Sequence, residues 1–156
     1  MRVWLLLLAW SLSGGLVMAV EPGERLAPWT LLDQFDQPHS LDGDVQVVLV
    51  ARDMEGAKLV NAALHDKPQG YLEHRHALFL ADISRMPGPI ATLFAVPAMR
   101  DYTYPVLLDR EARVASHYPG DAGAVLWLDL HDGRLQGQRS FRDASALAAA
   151  LEQAGQ

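Results

Sequence analysis

The sequence contains no cysteine among its 156 residues. Thiol–disulfide exchange and peroxide reduction by a thiolate are therefore excluded, because both reactions require a cysteine sulfur. Disulfides and attachment of a lipid to a lipobox cysteine are excluded for the same reason. The folded chain must be stabilised by packing alone, and no residue of the thiol class is available as a catalytic group.

Basic residues are also few, since 13 Lys and Arg stand against 19 Asp and Glu and give a formal net charge of −6. They are scattered singly, whereas phosphate binding depends on clusters of Lys and Arg. We therefore expect no nucleic-acid partner. A glycine-rich phosphate loop is missing as well, because Gly120 and Gly123 precede a predicted strand instead of joining a strand to a helix. We expect no nucleotide, flavin or other cofactor.

A long apolar run occurs only at the N-terminus. Arg2 precedes an apolar stretch over residues 3–12, and Val17 and Ala19 stand at the −3 and −1 positions of a cleavage site after Ala19. This pattern predicts a signal peptide over residues 1–19 and an exported, periplasmic domain over residues 20–156. An uncleaved anchor is the less favoured alternative, because the run is shorter than the roughly 20 residues that span a bilayer. We expect no membrane association after cleavage.

Apolar patterning predicts a mixed α/β domain with a central mixed sheet. The predicted elements are a hairpin over residues 29–41, strand 45–51, helix 55–65, strand 76–81, helix 89–98, strand 105–109, a short helix or turn at 110–117, strands 124–129 and 134–138, and a helix capped by Asp143 or Ser145. Strands separated by helices pair in parallel, while strands joined by a tight turn are antiparallel. The order predicts three α/β/α layers with helices on both faces and strand 45–51 in the middle.

Two segments carry a resemblance to known proteins. Trp29 to Gln34 with Ser40 and Leu41 is similar to the opening hairpin of peroxiredoxin-like and other thioredoxin-fold proteins, and the strand, turn and strand over residues 125–135 resemble the end of that superfamily. A narrower resemblance is to the YtfJ-like family of exported bacterial proteins, and it is carried by short motifs at 57–64, 87–88, 104–105 and 128–134. The resemblance implies a thioredoxin-like fold and export, and it implies no reaction.

In a thioredoxin the reactive cysteine lies where the first central strand meets its helix, because the helix N-terminus stabilises a thiolate. The equivalent stretch here begins with Arg52, Asp53, Met54 and Glu55 and holds no nucleophile. The resemblance places Gly123 or Ala124 where that superfamily keeps a cis-proline facing the same helix end. Both halves of the redox site are therefore replaced, and we assign no catalytic residue.

The same strand-to-helix switch point is the best candidate for a binding site. Doubly wound sheets offer a ligand a crevice and free N–H groups there. The candidate ligand-binding residues are Arg52, Asp53, Met54, Glu55 and Gly123. The competing interpretation is that Asp53 or Glu55 only caps the helix while Arg52 pairs with the carboxylate.

Two histidines form a weaker candidate for a metal site. If the chain is extended at this point, His74 and His76 project to one side and could chelate a divalent ion with a third ligand such as His65. The alternative is that they are ordinary surface or strand-edge histidines.

Three functions stay open at this point. A non-catalytic binding or accessory protein, with another periplasmic protein as partner, predicts an exposed apolar or aromatic patch near Met54, residues 86–89 and residues 102–104. A cysteine-independent enzyme that uses Arg52, Asp53 and a histidine predicts a polar pocket in which a carboxylate and a histidine converge. Weak metal binding through His74 and His76 is the third.

Overall fold

The computed structural model describes residues 20–156, and the predicted signal peptide lies outside the described residues. A two-stranded antiparallel hairpin precedes a five-stranded mixed sheet with the order β5-β4-β3-β6-β7. The strands are β1 (Thr30–Leu32), β2 (Pro38–Ser40), β3 (Val47–Ala51), β4 (Ala77–Asp82), β5 (Leu107–Asp109), β6 (Val125–His131) and β7 (Arg134–Phe141). The helices are α1 (Met54–Leu64), α2 (Gly88–Ile90), α3 (Val96–Met99) and α4 (Ala144–Ala154). Within residues 20–156, every helix is too short or too polar to cross a bilayer.

Strand β3 occupies the centre of the sheet, as its unbroken apolar sequence predicts. All five of its residues are buried, and it pairs in parallel with β4 and antiparallel with β6. Leu49 lies between Phe79 on one side and Trp127 on the other. A strand that is covered on both faces has no need of alternating polar residues, which explains the sequence Val-Val-Leu-Val-Ala.

The two faces of the sheet carry different layers. Leu49 and Ala51 contribute to a core with buried side chains of α1, α4 and α3. Val48 and Val50 contribute to a second core with residues of the hairpin and of the 110–118 segment. The predicted fold class is confirmed. On this second face, residues 110–117, for which the sequence predicts a short helix or turn, form the 3₁₀ turn Ala115–His117.

A π-helical turn, Ala91–Ala95, joins α2 to α3, and we call the whole stretch helical segment 88–99. The N–H of Val96 bonds to the carbonyl of Ala91, five residues earlier. Pro97 therefore falls at the second position of α3, where a missing N–H leaves no hydrogen bond unmade. The helix continues to Met99 instead of ending at the proline.

Local capping signals set the remaining boundaries. The carboxylate of Asp143 accepts from the N–H of Ser145 and begins α4, so Asp143 is the cap of the two candidates. The β6–β7 turn places Asp132 and Gly133 at positive φ, which is the backbone that a two-residue hairpin requires. These ends agree with the sequence because each is determined by neighbouring residues.

Candidate functional site: the groove along α1

A cavity of about 240 Å³ lies between the start of α1 and the loop that follows β4. Its lining comes from three parts of the chain: Arg52, Asp53, Met54 and Ala57; Ala81, Asp82, Ile83, Arg85 and Met86; and Met99 at the end of α3. Three of the predicted ligand-binding residues, Arg52, Asp53 and Met54, therefore line one cavity. It occupies the strand-to-helix switch point named from the sequence.

Asp53 is the N-cap of α1 and also joins the helix to a distant loop. One carboxylate oxygen accepts from the N–H of Gly56 at 2.9 Å, and the other accepts from the N–H of Gly123 at 2.7 Å. These two backbone donors hold the pKa of Asp53 below its ordinary value, because they stabilise the charged form. The capping interpretation of Asp53 is thus seen in the structure, and both oxygens are already engaged.

Arg52 has a different role from the expected pairing with a neighbouring carboxylate. Its guanidinium donates through Nη1 to the carbonyls of Ala115 and Tyr118, at 3.1 and 2.8 Å. The Ala115 carbonyl also accepts from the N–H of Tyr118, which closes the turn, so Arg52 is its second donor. Arg52 therefore ties the start of α1 to the 3₁₀ turn on the second face.

Glu55 lies on the exposed surface of the first turn of α1 and does not line the cavity. It pairs with Lys58 at 3.2 Å, and both side chains are largely exposed. Such pairs contribute little to stability, because solvent screens them. Of the five residues proposed from the sequence, Glu55 and Gly123 are the two that do not line the cavity.

The loop at Gly123 and Ala124 lies directly against the first turn of α1, as the resemblance implies. A Cβ on Gly56 would come within 2.7 Å of the Ala124 carbonyl oxygen, so only glycine fits at that position. Gly123 adopts a positive φ of 72°, and its N–H points at Asp53. The helix end that would face a thiolate in a redox enzyme is here closed by a loop backbone and a carboxylate.

A smaller cavity of about 100 Å³ extends the first along α1. The two share Met54, Ala57, Ala81 and Met99, and we call the combined feature the α1 groove. Its walls are mainly apolar, and 58% of the Met54 surface is exposed at the entrance. This is the apolar surface near Met54 that the binding interpretation predicts.

The far end of the α1 groove has an aromatic floor. Tyr102 and Tyr104 stack with ring centroids 5.1 Å apart, and the hydroxyl of Tyr104 donates to Asn61 on α1 at 3.1 Å. Burial raises the pKa of Tyr104 well above its usual range. Tyr102 is half-buried and Tyr104 is buried, so little of the aromatic patch that a binding protein would show over residues 102–104 is exposed.

Gln34 fixes the backbone around these two tyrosines. The sequence alone gives no indication of this structural role. It is 1% exposed, and its amide nitrogen donates to the carbonyls of Met99 and Tyr104 while its amide oxygen accepts from the N–H of Val106. A buried amide is stable only when its donors and acceptor are paired. The hairpin therefore positions the tyrosine end of the α1 groove. In the sequence Gln34 looks like a surface glutamine, and only the structure shows that it is buried.

Helical segment 88–99 presents its apolar side chains to solvent beside the α1 groove. Ile90, Leu93 and Phe94 are exposed, the last two by 66% and 68%, while Ala91 and Val96 are buried. The spacing of the larger side chains predicts the opposite, a face in the core or at its rim. Ala91 and Val96, five residues apart across the π-turn, both face the core, and the larger side chains between them point outward.

The predicted metal geometry at His74 and His76 is wrong. His74 lies in a 3₁₀ turn, Glu73–Arg75, and His76 adopts a left-handed conformation with φ of 52° as that turn closes. The chain is therefore not extended, and the two imidazoles do not share a strand face. Throughout residues 20–156, no three His, Cys, Asp or Glu side chains are grouped to hold a metal.

A carboxylate and a histidine do meet, but in the hairpin and not in the α1 groove. His39 Nε2 lies 2.7 Å from an Asp33 oxygen, and Asp33 also accepts from the N–H groups of Phe35 and Gln37. Burial acts to raise the pKa of Asp33, but these bonds outweigh it and lower that pKa. The pair fixes the turn between β1 and β2.

No protein-family model and no curated protein sequence match this chain. Several solved structures do. The peroxidoxin BcpB from Mycobacterium tuberculosis is 18% identical with a TM-score of 0.56, and the match covers 88% of this chain and 99% of that one. The thioredoxin domain of a thiol-disulfide oxidoreductase from Bacteroides vulgatus is 15% identical with a TM-score of 0.54, covering 86% and 98%. A thio-disulfide isomerase from Thermus thermophilus is 23% identical with a TM-score of 0.51, covering 87% and 98%.

These matches extend over almost the whole described chain and establish a thioredoxin-like fold. Because the sequence identities are low, these matches are evidence for the fold alone and not for a shared activity. The matched proteins are named for thiol or peroxide chemistry, whereas this chain has no cysteine with which to perform it.

Proposed function

We propose that this chain is an exported, YtfJ-like member of the thioredoxin fold that acts in the periplasm as a non-catalytic binding or accessory protein. In this proposal the α1 groove receives an apolar segment of another periplasmic protein. The observation that carries the proposal is an open, mainly apolar groove at the switch point, beside Arg52 and Asp53, which already bond to backbone groups of the protein.

The lining of the α1 groove suits a peptide side chain. Burial of one Leu, Phe or Met side chain contributes about 1.5–3 kcal/mol, and the two adjoining cavities offer room for more than one such group. Methionine is flexible and polarizable, and surfaces rich in methionine adapt to partners of different shape. Leu93 and Phe94 are further exposed apolar side chains, on the same helical segment 88–99 that supplies Met99 to the groove.

The enzyme alternative has less support. The residues that line the two cavities include no histidine, and the carboxylate oxygens of Asp53 both accept backbone hydrogen bonds. A general base needs a free position within hydrogen-bond reach of its substrate. The histidine–carboxylate pair at His39 and Asp33 is occupied in fixing a turn.

Site-specific crosslinking tests the binding proposal. A photoreactive phenylalanine replaces Met54 in cells that export the protein, and the crosslinked partner is identified after isolation of the periplasmic fraction. The groove is then blocked by Ala57→Trp, since Ala57 lines both cavities, while Ala62→Trp on the exposed side of α1 is the matched control. We expect A57W to abolish the crosslink and A62W to retain it.

Two outcomes contradict the proposal. A crosslink that survives A57W means that the partner does not enter the α1 groove. Recovery of the protein only from the cytoplasm, with residues 1–19 intact by N-terminal sequencing, refutes export. Circular dichroism of both tryptophan variants shows whether the fold is retained.

A further inference from the structure

All three methionines of residues 20–156 line the same cavity of about 240 Å³. Met54 is the first residue of α1, Met86 lies in the loop after β4, and Met99 is the last residue of α3. Three separate elements thus bring every thioether of the described chain to one place. Packing alone requires methionine only occasionally, to fill an irregular gap in a core. Three methionines around one cavity therefore suggest that their sulfur atoms have a chemical role.

Thioether sulfur is a soft, uncharged ligand. Soft sulfur ligands select Cu(I), whereas Ca²⁺ and Mg²⁺ prefer oxygen and Zn²⁺ prefers thiolate or imidazole. Met86 and Met99 pack partly against the core, which fixes one side of the cavity, and the exposed Met54 has three rotatable bonds with which to turn inward.

The charges around the cavity favour an ion of low charge. Asp53 and Asp82 are matched by Arg52 and Arg85, so the lining is formally neutral. Asp53 has both oxygens engaged, and one oxygen of Asp82 accepts from the N–H of Ser84 at 2.9 Å. A divalent ion held by uncharged thioethers alone would leave two charges uncompensated, whereas a monovalent ion leaves one, which polarizable sulfur can stabilise.

We propose that the cavity binds one soft monovalent cation, Cu(I), through the thioethers of Met54, Met86 and Met99. The ion enters and leaves as Cu(I), so the step involves no electron transfer and no bond to the protein other than coordination. This inference names a ligand for the same groove as the proposed function, but it needs no protein partner. The two proposals therefore succeed or fail in separate experiments.

The test uses Ag(I) as a redox-inert probe of the same softness and charge. The purified protein, labelled with ¹³C at its methionine methyl groups, is titrated with silver nitrate in chloride-free buffer. We expect saturation at one ion per chain, with the methyl signals of Met54, Met86 and Met99 shifting together. Cu(I) supplied with a competing chelator gives the affinity for the natural ion.

Conservative variants separate coordination from packing. Met54→Leu, Met86→Leu and Met99→Leu nearly conserve side-chain volume and are expected to preserve the fold. Each should weaken binding about tenfold or more, since the loss of an outer-shell partner alone costs about 10–100-fold. The matched control removes the other candidate ligands through His74→Ala with His76→Ala and should leave the affinity unchanged.

Three results would overturn the assignment. They are the absence of saturable Ag(I) binding, undiminished binding by a folded variant with all three methionines replaced by leucine, and loss of binding in the histidine control. Crosslinking of a partner in the preceding experiment changes none of these outcomes.

Discussion

The hydrogen bonds of Asp53 give a quantitative prediction that separates capping from ligand binding. The carboxylate accepts from Gly56 within α1 and from Gly123 in the facing loop. Asp53→Ala removes both acceptors. Loss of an N-cap costs about 1 kcal/mol, and an unpaired, half-buried N–H at Gly123 adds roughly another 1 kcal/mol. We expect a total loss of about 2 kcal/mol in the free energy of unfolding.

Asp53→Asn separates the capping contribution to stability from the contribution of the hydrogen bond with Gly123. Its amide oxygen can still cap α1, but its NH₂ group then faces the N–H of Gly123, so that two donors oppose each other. We expect D53N to retain the capping contribution and lose about 1 kcal/mol. Urea unfolding at pH 7, followed by circular dichroism, measures both variants against the parent protein.

The pH dependence provides a second check on the same carboxylate. The folded-state pKa of Asp53 is lowered, so its stabilising contribution is complete above the unfolded value near 3.8 and is lost as the pH falls through the folded value. The stability difference between the parent and D53N should therefore shrink below about pH 3.8. Equal stability at pH 7 would refute the reasoning, and it would leave the carboxylate free for a ligand.

Three further predictions concern other positions. Gly56→Ala should destabilise the protein by about 2 kcal/mol despite the better helix propensity of alanine, because the new Cβ would lie 2.7 Å from a backbone oxygen. The control is Gly43→Ala, where the new Cβ has open space, and it should change thermal stability by less than about 0.5 kcal/mol. Asp109→Asn should cost roughly 3 kcal/mol in urea unfolding, since this 1% exposed carboxylate accepts from three backbone N–H groups. Burial and the hydrogen bond to Glu152 raise the pKa of Tyr71 to about 12. Ultraviolet titration of the Glu152→Gln variant should therefore show a lower pKa for Tyr71. An unchanged pKa would mean that burial alone determines it.

The sequence was sufficient for elements whose signals are local. The apolar run of β3, the Asp143 cap and the turn at Asp132 and Gly133 each determine their structure through neighbouring residues. A cavity does lie at the switch point, which a strand followed by a helix defines whatever side chains occupy it, while ligand binding there stays a prediction. The predicted signal peptide, compartment and partner are not tested by the fold.

Other features depend on residues far apart in the chain. Gln34 is buried only because the hairpin packs against the segment that follows α3, and nothing near it in sequence indicates this. The exposed Leu93 and Phe94 lie within a π-turn, whose buried positions are five residues apart and do not follow a regular helical period. The spacing of His74 and His76 suits a metal only if the backbone is extended there, whereas a 3₁₀ turn precedes strand β4 and His76 closes that turn.

The absence of cysteine alone does not explain the α1 groove. A redox enzyme of this fold uses the N–H groups at the start of its helix to stabilise a thiolate. Here the carboxylate of Asp53 accepts from that helix end, and its second oxygen draws in the loop that would have faced the sulfur. Gly56 permits close approach of that loop because it has no Cβ. The start of α1 and the loop are therefore joined through Asp53 in a purely structural contact. The flank that remains beside this contact is lined by the three methionines, so apolar contact and thioether sulfur are the means of recognition that it mainly offers.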